Sequence, residues 1–241
     1  MLIDYGNKYN ENGKNLQVEY SKKYVGKCPS SIVVKNNSSV VIATIKPVES
    51  KLHILNNKEN IYKIANNCYV AASGRELDKN YIVQNLKEIA MQYKKMFNSE
   101  ITSEYIKQHL NNLLVYFNSA LGLRVIGAEF IVVVVEKDQY NCLLVENTGS
   151  ILKYTCAVVG SMSQRAKTEM ENVSWNALSL EEMLDQVVMI FYKCFDPLSD
   201  KPFEIEIKVV GKDTNNKFIN VEKEVIDKYV TRQCDLTIDD Q

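Results

Sequence analysis

Two long amphipathic patterns lie back to back in the middle of this 241-residue chain, with short β-branched runs on either side of them. In the first, Tyr81, Leu86, Ile89, Ala90, Tyr93 and Phe97 recur at short intervals, and in the second Ile106, Leu110, Leu113, Leu114, Phe117 and Leu121 do the same. Those intervals gather apolar side chains on one face of a helix rather than a strand. Thr102 is placed to cap the second helix. Before the pair, Ser31–Val34 and Val40–Ile45 flank the turn-prone Lys35–Ser39 and read as a hairpin, and Asn67–Ala72 is a further apolar stretch ended by Gly74. After it, Ala128–Val135, Asn141–Val145 and Ile151–Val159 read as three antiparallel strands. Then come a helix over Ser163–Asn172, a helix opened by the capping box Ser179–Glu182 and stopped before Pro197, an alternating strand over Phe203–Val210, and a helix from Val221 to about Thr231.

Paired helices alternating with antiparallel strands point to helices covering both outer faces of two packed sheets, an α+β fold with αββα layering. No linker or internal repeat divides the chain, so residues 1–241 are expected to form a single domain. Within it, residues 1–12 are polar and extended, residues 13–26 form a short helix with Leu16, Tyr20 and Tyr24 along one stripe, and residues 232–241 are an acidic tail.

A net charge of -1 leaves no general attraction for nucleic acid or an anionic membrane. No apolar run approaches the roughly 18 residues that span a bilayer. Six cysteines without a Cys-x-x-Cys spacing, and no apolar leader at the N-terminus, read as reduced thiols in a protein of the cytoplasm and nucleus. His53 and His109 stand far apart without neighbouring ligand residues, so neither a metal nor another cofactor is expected.

The run Gly13-Lys14-Asn15-Leu16-Gln17-Val18-Glu19-Tyr20-Ser21 strongly resembles the signature that opens the N-terminal helix of proteasome α subunits. The resemblance continues through Ser50-Lys51-Leu52, Gly74, Arg124 with Gly127, Gly149, Gly160 and Ala166-Lys167-Thr168-Glu169. Asp200-Lys201-Pro202-Phe203-Glu204-Ile205-Glu206 and Val210-Gly211 look most like the seventh-position subunit of the eukaryotic ring. Two departures stand out: Glu11 replaces a serine-proline pair, and Arg124-Val125 replaces arginine-proline, each removing a residue that fixes φ.

The resemblance implies a four-layer sandwich of the N-terminal-nucleophile hydrolase type with an added N-terminal helix. It also implies a non-catalytic place in a seven-membered α ring of the 20S core particle, stacked on a β ring, in ubiquitin-dependent protein degradation. Partners implied are the other α subunits, the β-ring subunits, the regulatory particle or other activators, and unfolded proteins in transit. Asp4, Tyr5, Gly13, Gln17, Glu19 and Tyr20 correspond to the gate motif. Asn60 falls where the family places a lysine that receives the terminal carboxylate of activator tails, with Lys58 and Lys63 close by in sequence. Asparagine donates only a neutral hydrogen bond there.

Catalytic β-type relatives use an N-terminal threonine, an acidic residue and a lysine. Aligning the first hairpin by its turn puts Pro29, Ile45 and Asn60 at those places, and none can perform the role. The alternative is a hydrolase processed to expose Ser30 or Ser31 as nucleophile, still without an acidic partner at Ile45.

Overall fold

The computed structural model describes residues 9–48, 50, 52, 59–120, 122–137, 139–196 and 201–239, with side chains as far as residue 231. Helix α1 (Leu16–Val25) leads into strands β1 (Ser31–Lys35), β2 (Ser39–Pro47), β3 (Ile61–Ala65) and β4 (Cys68–Gly74). Helices α2 (Glu76–Phe97) and α3 (Ser103–Ser119) follow, then β5 (Ala128–Glu136), β6 (Gln139–Val145), β7 (Ile151–Lys153) and β8 (Cys156–Val159). The chain continues through α4 (Ser163–Glu171), α5 (Leu180–Cys194), β9 (Phe203–Gly211), β10 (Ile219–Asn220) and α6 (Lys223–Asp239).

Local signals set the element ends. Thr102 Oγ1 accepts from the Tyr105 N–H at 3.4 Å. At the start of α5, Ser179 Oγ accepts from the Glu182 N–H at 3.3 Å while the Glu182 carboxylate accepts from the Ser179 N–H at 2.7 Å. The expected hairpin forms in register, with Ser31 opposite Thr44 and Lys35 opposite Val40.

The strands assemble into two five-stranded antiparallel sheets, β10-β9-β2-β1-β8 and β3-β4-β5-β6-β7. Val33, Ile42, Ile61, Ile131, Val133 and Val210 fill the space between them. Ile82, Leu86, Ile106, Leu110 and Leu114 of α2 and α3 cover the second sheet, and Met183, Val187 and Phe191 of α5 cover the first. These are the four layers expected from the element order. Seven consecutive residues of β2, Ser39–Ile45, are buried because each face meets another layer. A strand buried on both faces has no polar face to alternate, which explains its continuous apolar stretch Val40–Ala43.

Four expectations need correction. The Ile151–Val159 run is two strands: β7 stays beside β6, whereas β8 crosses to the other sheet and pairs Cys156 with Val34. No Gly or Pro marks the break; the open edge of β1 decides it. β3 was not expected, being a five-residue edge strand that exposes Lys63. β10, only Ile219–Asn220, was also not expected. The acidic tail is not a separate segment, because α6 runs through Asp239, there being no Gly or Pro after Val221 to stop it.

Between β8 and α4, Gly160 sits at φ 103°, and a Cβ there would lie 2.6 Å from the Pro29 carbonyl oxygen and from the Ser30 Cα. Only glycine allows this approach. It lets the Ser161 N–H reach the Cys28 carbonyl at 2.9 Å and the Met162 N–H reach Ser30 Oγ at 2.8 Å. The space between the sheets opens beneath α1 into a cavity of about 410 Å³ lined by Lys22, Glu129, Glu146, Ala157 and Lys167. Burial, reinforced by the charge of Glu146 and opposed by Lys22, pushes the Glu129 carboxyl up to about 7.

Two predictions follow from this packing. Gly160→Ala should lower the unfolding free energy by about 2–4 kcal/mol in urea titration, since it adds backbone strain to a steric clash. Folded Glu129 keeps its proton to about pH 7, whereas its ordinary value is 4.5, so the folded state binds more protons between those values and stability falls as pH rises through the window. Glu129→Gln should match the parent near pH 4.5 and exceed it by about 2–3 kcal/mol at pH 8; parallel stability-pH curves would refute the assignment.

Candidate functional site

The chain approaches α1 through a tight turn in which Tyr9 pairs with Asn15. Asn10 Oδ1 accepts from the amides of Asn12 and Lys14 at 3.0 and 2.9 Å, and the Gly13 N–H donates to the Asn10 carbonyl at 2.9 Å. Gly13 adopts φ 70° in open space, so its requirement is conformational. Asn15 Oδ1 then accepts from the Gln17 N–H at 3.0 Å and starts the helix. Ser21 docks it, donating to the Ile126 carbonyl at 2.8 Å and accepting from Asn147 Nδ2 at 2.8 Å.

The residues that the resemblance assigns to a gate motif line two different clefts. Gln17 and Tyr20 line a 280 Å³ cleft with Tyr24, Arg75 and Arg124, whereas Gly13 and Glu19 line a separate 550 Å³ cleft with Tyr9 and Val115. Tyr20 remains 44% exposed. Asp4 and Tyr5 lie outside the described residues.

Beside the first cleft, buried Asp78 holds the loop that carries the Arg124-Val125 departure. Its carboxylate accepts from both terminal nitrogens of Arg124 and, at 2.6 Å, from the Gly127 N–H. Burial alone would raise the Asp78 carboxyl, but the Arg124 hydrogen bonds, the Gly127 amide and the charges of Arg124 and Arg75 hold it below its ordinary value. A side-chain clamp thus restrains a loop that lacks the proline.

Between α1 and β1, Gly26–Cys28 lead into Pro29. The Pro29 carbonyl accepts from Ser73 Oγ at 2.7 Å. Ser30 and Ser31 are both wholly buried. Ser30 Oγ accepts from Met162 and lies 3.3 Å from Ser161 Oγ, while Ser31 Oγ lies 2.9 Å from Thr44 Oγ1. Ile45 packs among Met183, Val187 and Phe191 under α5. No acid, base or open space accompanies either serine among these contacts. Among the described residues, no three His, Cys, Asp or Glu side chains gather at metal-binding range.

Asn60 precedes β3 and is only 2% exposed. Its Oδ1 accepts from Lys79 Nζ of α2 at 2.9 Å. Lys63, on the exposed side of β3, does not join it, and Lys58 lies outside the described residues. The structure therefore separates Asn60 from Lys63 and brings it instead to Lys79, which is itself 3% exposed and lies 2.8 Å from the Glu76 carboxylate. Lys79 could not be found by sequence spacing around Asn60, because helix α2 brings it there from 19 residues away.

Comparison with known proteins gives the same family. The chain matches the proteasome family, described as proteasome subunit, over residues 27–210. It is 30% identical over 238 residues to a probable proteasome subunit alpha type-7 of Encephalitozoon cuniculi, covering 99% of this chain and 98% of the relative. A probable alpha type-7 subunit of Schizosaccharomyces pombe is 26% identical over 96% of this chain and 93% of its own length. An alpha type-3 subunit of Dictyostelium discoideum is 26% identical over 93% and 90%. With the four-layer fold, the added helix α1 and this coverage, the chain belongs to the proteasome subunit family and is one of its α subunits.

Proposed function

We propose that this subunit takes one place in the seven-membered α ring of the 20S core particle, templates ring assembly, contributes its N-terminal segment to the entry gate and receives activators. The observation that carries the reading is the start of β1, where Ser30 and Ser31 are wholly buried and their hydroxyls are taken up by structural hydrogen bonds. An N-terminal nucleophile needs an activated, accessible hydroxyl, and the burial of Ser30 and Ser31 supports a subunit without one. The subunit then serves a threonine-type endopeptidase complex without supplying its nucleophile.

In this reading its neighbours are other α subunits and the β ring, its outer face meets the regulatory particle or other activators, and unfolded proteins pass beside it. Ubiquitin-dependent degradation in the cytoplasm and nucleus is the corresponding setting, and the free thiols of Cys28, Cys68, Cys142, Cys156 and Cys194 are compatible with it. The turn at Tyr9–Asn15 and the exposed Tyr20 support a gate role for Asp4, Tyr5, Gly13, Gln17, Glu19 and Tyr20. Asn60, with Lys58 and Lys63, marks the region proposed to receive an activator's terminal carboxylate.

Fluorogenic peptides offered to the purified subunit should show no turnover; hydrolysis abolished by Ser30→Ala or Ser31→Ala would establish the processed-hydrolase alternative. In assembled particles, deleting residues 1–10 of this subunit should raise basal peptide hydrolysis while leaving native mass unchanged. Equal basal rates in truncated and parent particles would remove the segment from the gate.

A further inference from the structure

We propose that Lys79, rather than a β3 lysine, is the carboxylate-binding cation of this subunit, that Asn60 holds it in position, and that Glu76 covers it until the terminal carboxylate of a peptide displaces that side chain. The inference rests on the docking role proposed above and identifies the groups that perform it.

Three observations converge on the junction of β3 and α2. Lys79 Nζ is buried, with its side chain 4% exposed, and touches Asn60 Oδ1 at 2.9 Å and Glu76 Oε2 at 2.8 Å. Asn60 Nδ2 is equally buried and has no hydrogen-bond partner among the described residues. Glu76 is half-exposed, at 53%, so its carboxylate meets the ammonium from the solvent side and can rotate away. The buried hydroxyl of Tyr62 completes the surround, its pKa pushed up by burial and then by the charges of Glu76 and Glu59.

A buried ammonium is costly without a negative partner, and Glu76 provides one at rest. Replacing Glu76 by an incoming carboxylate conserves that pairing, so the ammonium never stands uncompensated. The incoming group also gains a contact. A carboxylate has two oxygens, one for Lys79 Nζ and one for the unused Asn60 Nδ2, whereas Glu76 leaves that N–H unbonded. The chain-terminal carboxylate of a peptide is the class that fits, because it arrives at the end of a strand-like segment without a bulky stem. A lysine at residue 60 would put a second ammonium against Lys79, so Asn60 and Lys79 form an alternative solution in which the charge comes from the helix.

Assembled particles carrying this subunit would be titrated with a labelled alanine-leucine hexapeptide bearing a photo-crosslinker, supplied with either a free terminal carboxylate or a terminal amide. Occupancy is read as labelling of this subunit. Glu76→Gln should tighten the free-acid peptide about two- to tenfold and leave the amide unchanged, the range set by losing one partly exposed ion pair as competitor. Lys79→Met should abolish the preference for acid over amide. An unchanged acid-peptide affinity in Glu76→Gln particles whose native mass matches the parent overturns the assignment; should that variant fail to assemble, Lys79→Met, which leaves no buried ammonium to compensate, decides it. An acid preference that survives in Lys79→Met likewise overturns the assignment and would leave docking intact with its charge read elsewhere. Absence of labelling by either peptide in the parent and both variants would overturn the docking role itself, and the assignment with it.

Discussion

Everything in this subunit depends on two sheets packed face to face, each with helices on its other side. Val33, Ile42, Ile131, Val133 and Val210 are removed from water between the sheets, and the same strands bury Ile32, Val41, Val132 and Ile207 against the helix layers. Apolar burial contributes in proportion to area, so a strand covered on both faces contributes twice over its length. It also cannot carry polar residues without partners. Ser31 is accordingly hydrogen-bonded to Thr44, and Asn36 to the turn at Ser39.

The same packing closes the start of β1. At the open end of a two-sheet sandwich a reactive group would need exposure, a base and room for substrate. Here Gly160 brings the β8–α4 turn against Pro29 and Ser30, and Ser73 holds the Pro29 carbonyl from the other sheet. The segment linking α1 to β1 is thereby tied to both sheets.

Charges are placed by a different rule. Asp78 with Arg124, and Lys79 with Glu76, each put one buried partner against one that reaches solvent. Such pairs keep a low-dielectric charge compensated. They lie one residue apart at the start of α2, so the first turn of one helix both restrains the Arg124–Gly127 loop and presents an ammonium to the β3 edge. Helix geometry sends adjacent side chains in different directions, which is why one turn can serve both.

The sequence by itself determined the layers, the hairpin, the paired helices α2 and α3 and the capping box of α5, because these rest on periodicity and on contacts within a few residues. Its glycine and QVEY motif also identified the family. Tertiary structure alone decided that Ile151–Val159 divides between two sheets, since the choice turns on which strand edge lies open. It alone separated Gln17 and Tyr20 from Glu19, and Asn60 from Lys63, and it alone joined Asn60 to Lys79. Neighbours in sequence need not share a face, while burial selects as partners whichever polar groups the packed layers bring within hydrogen-bonding distance.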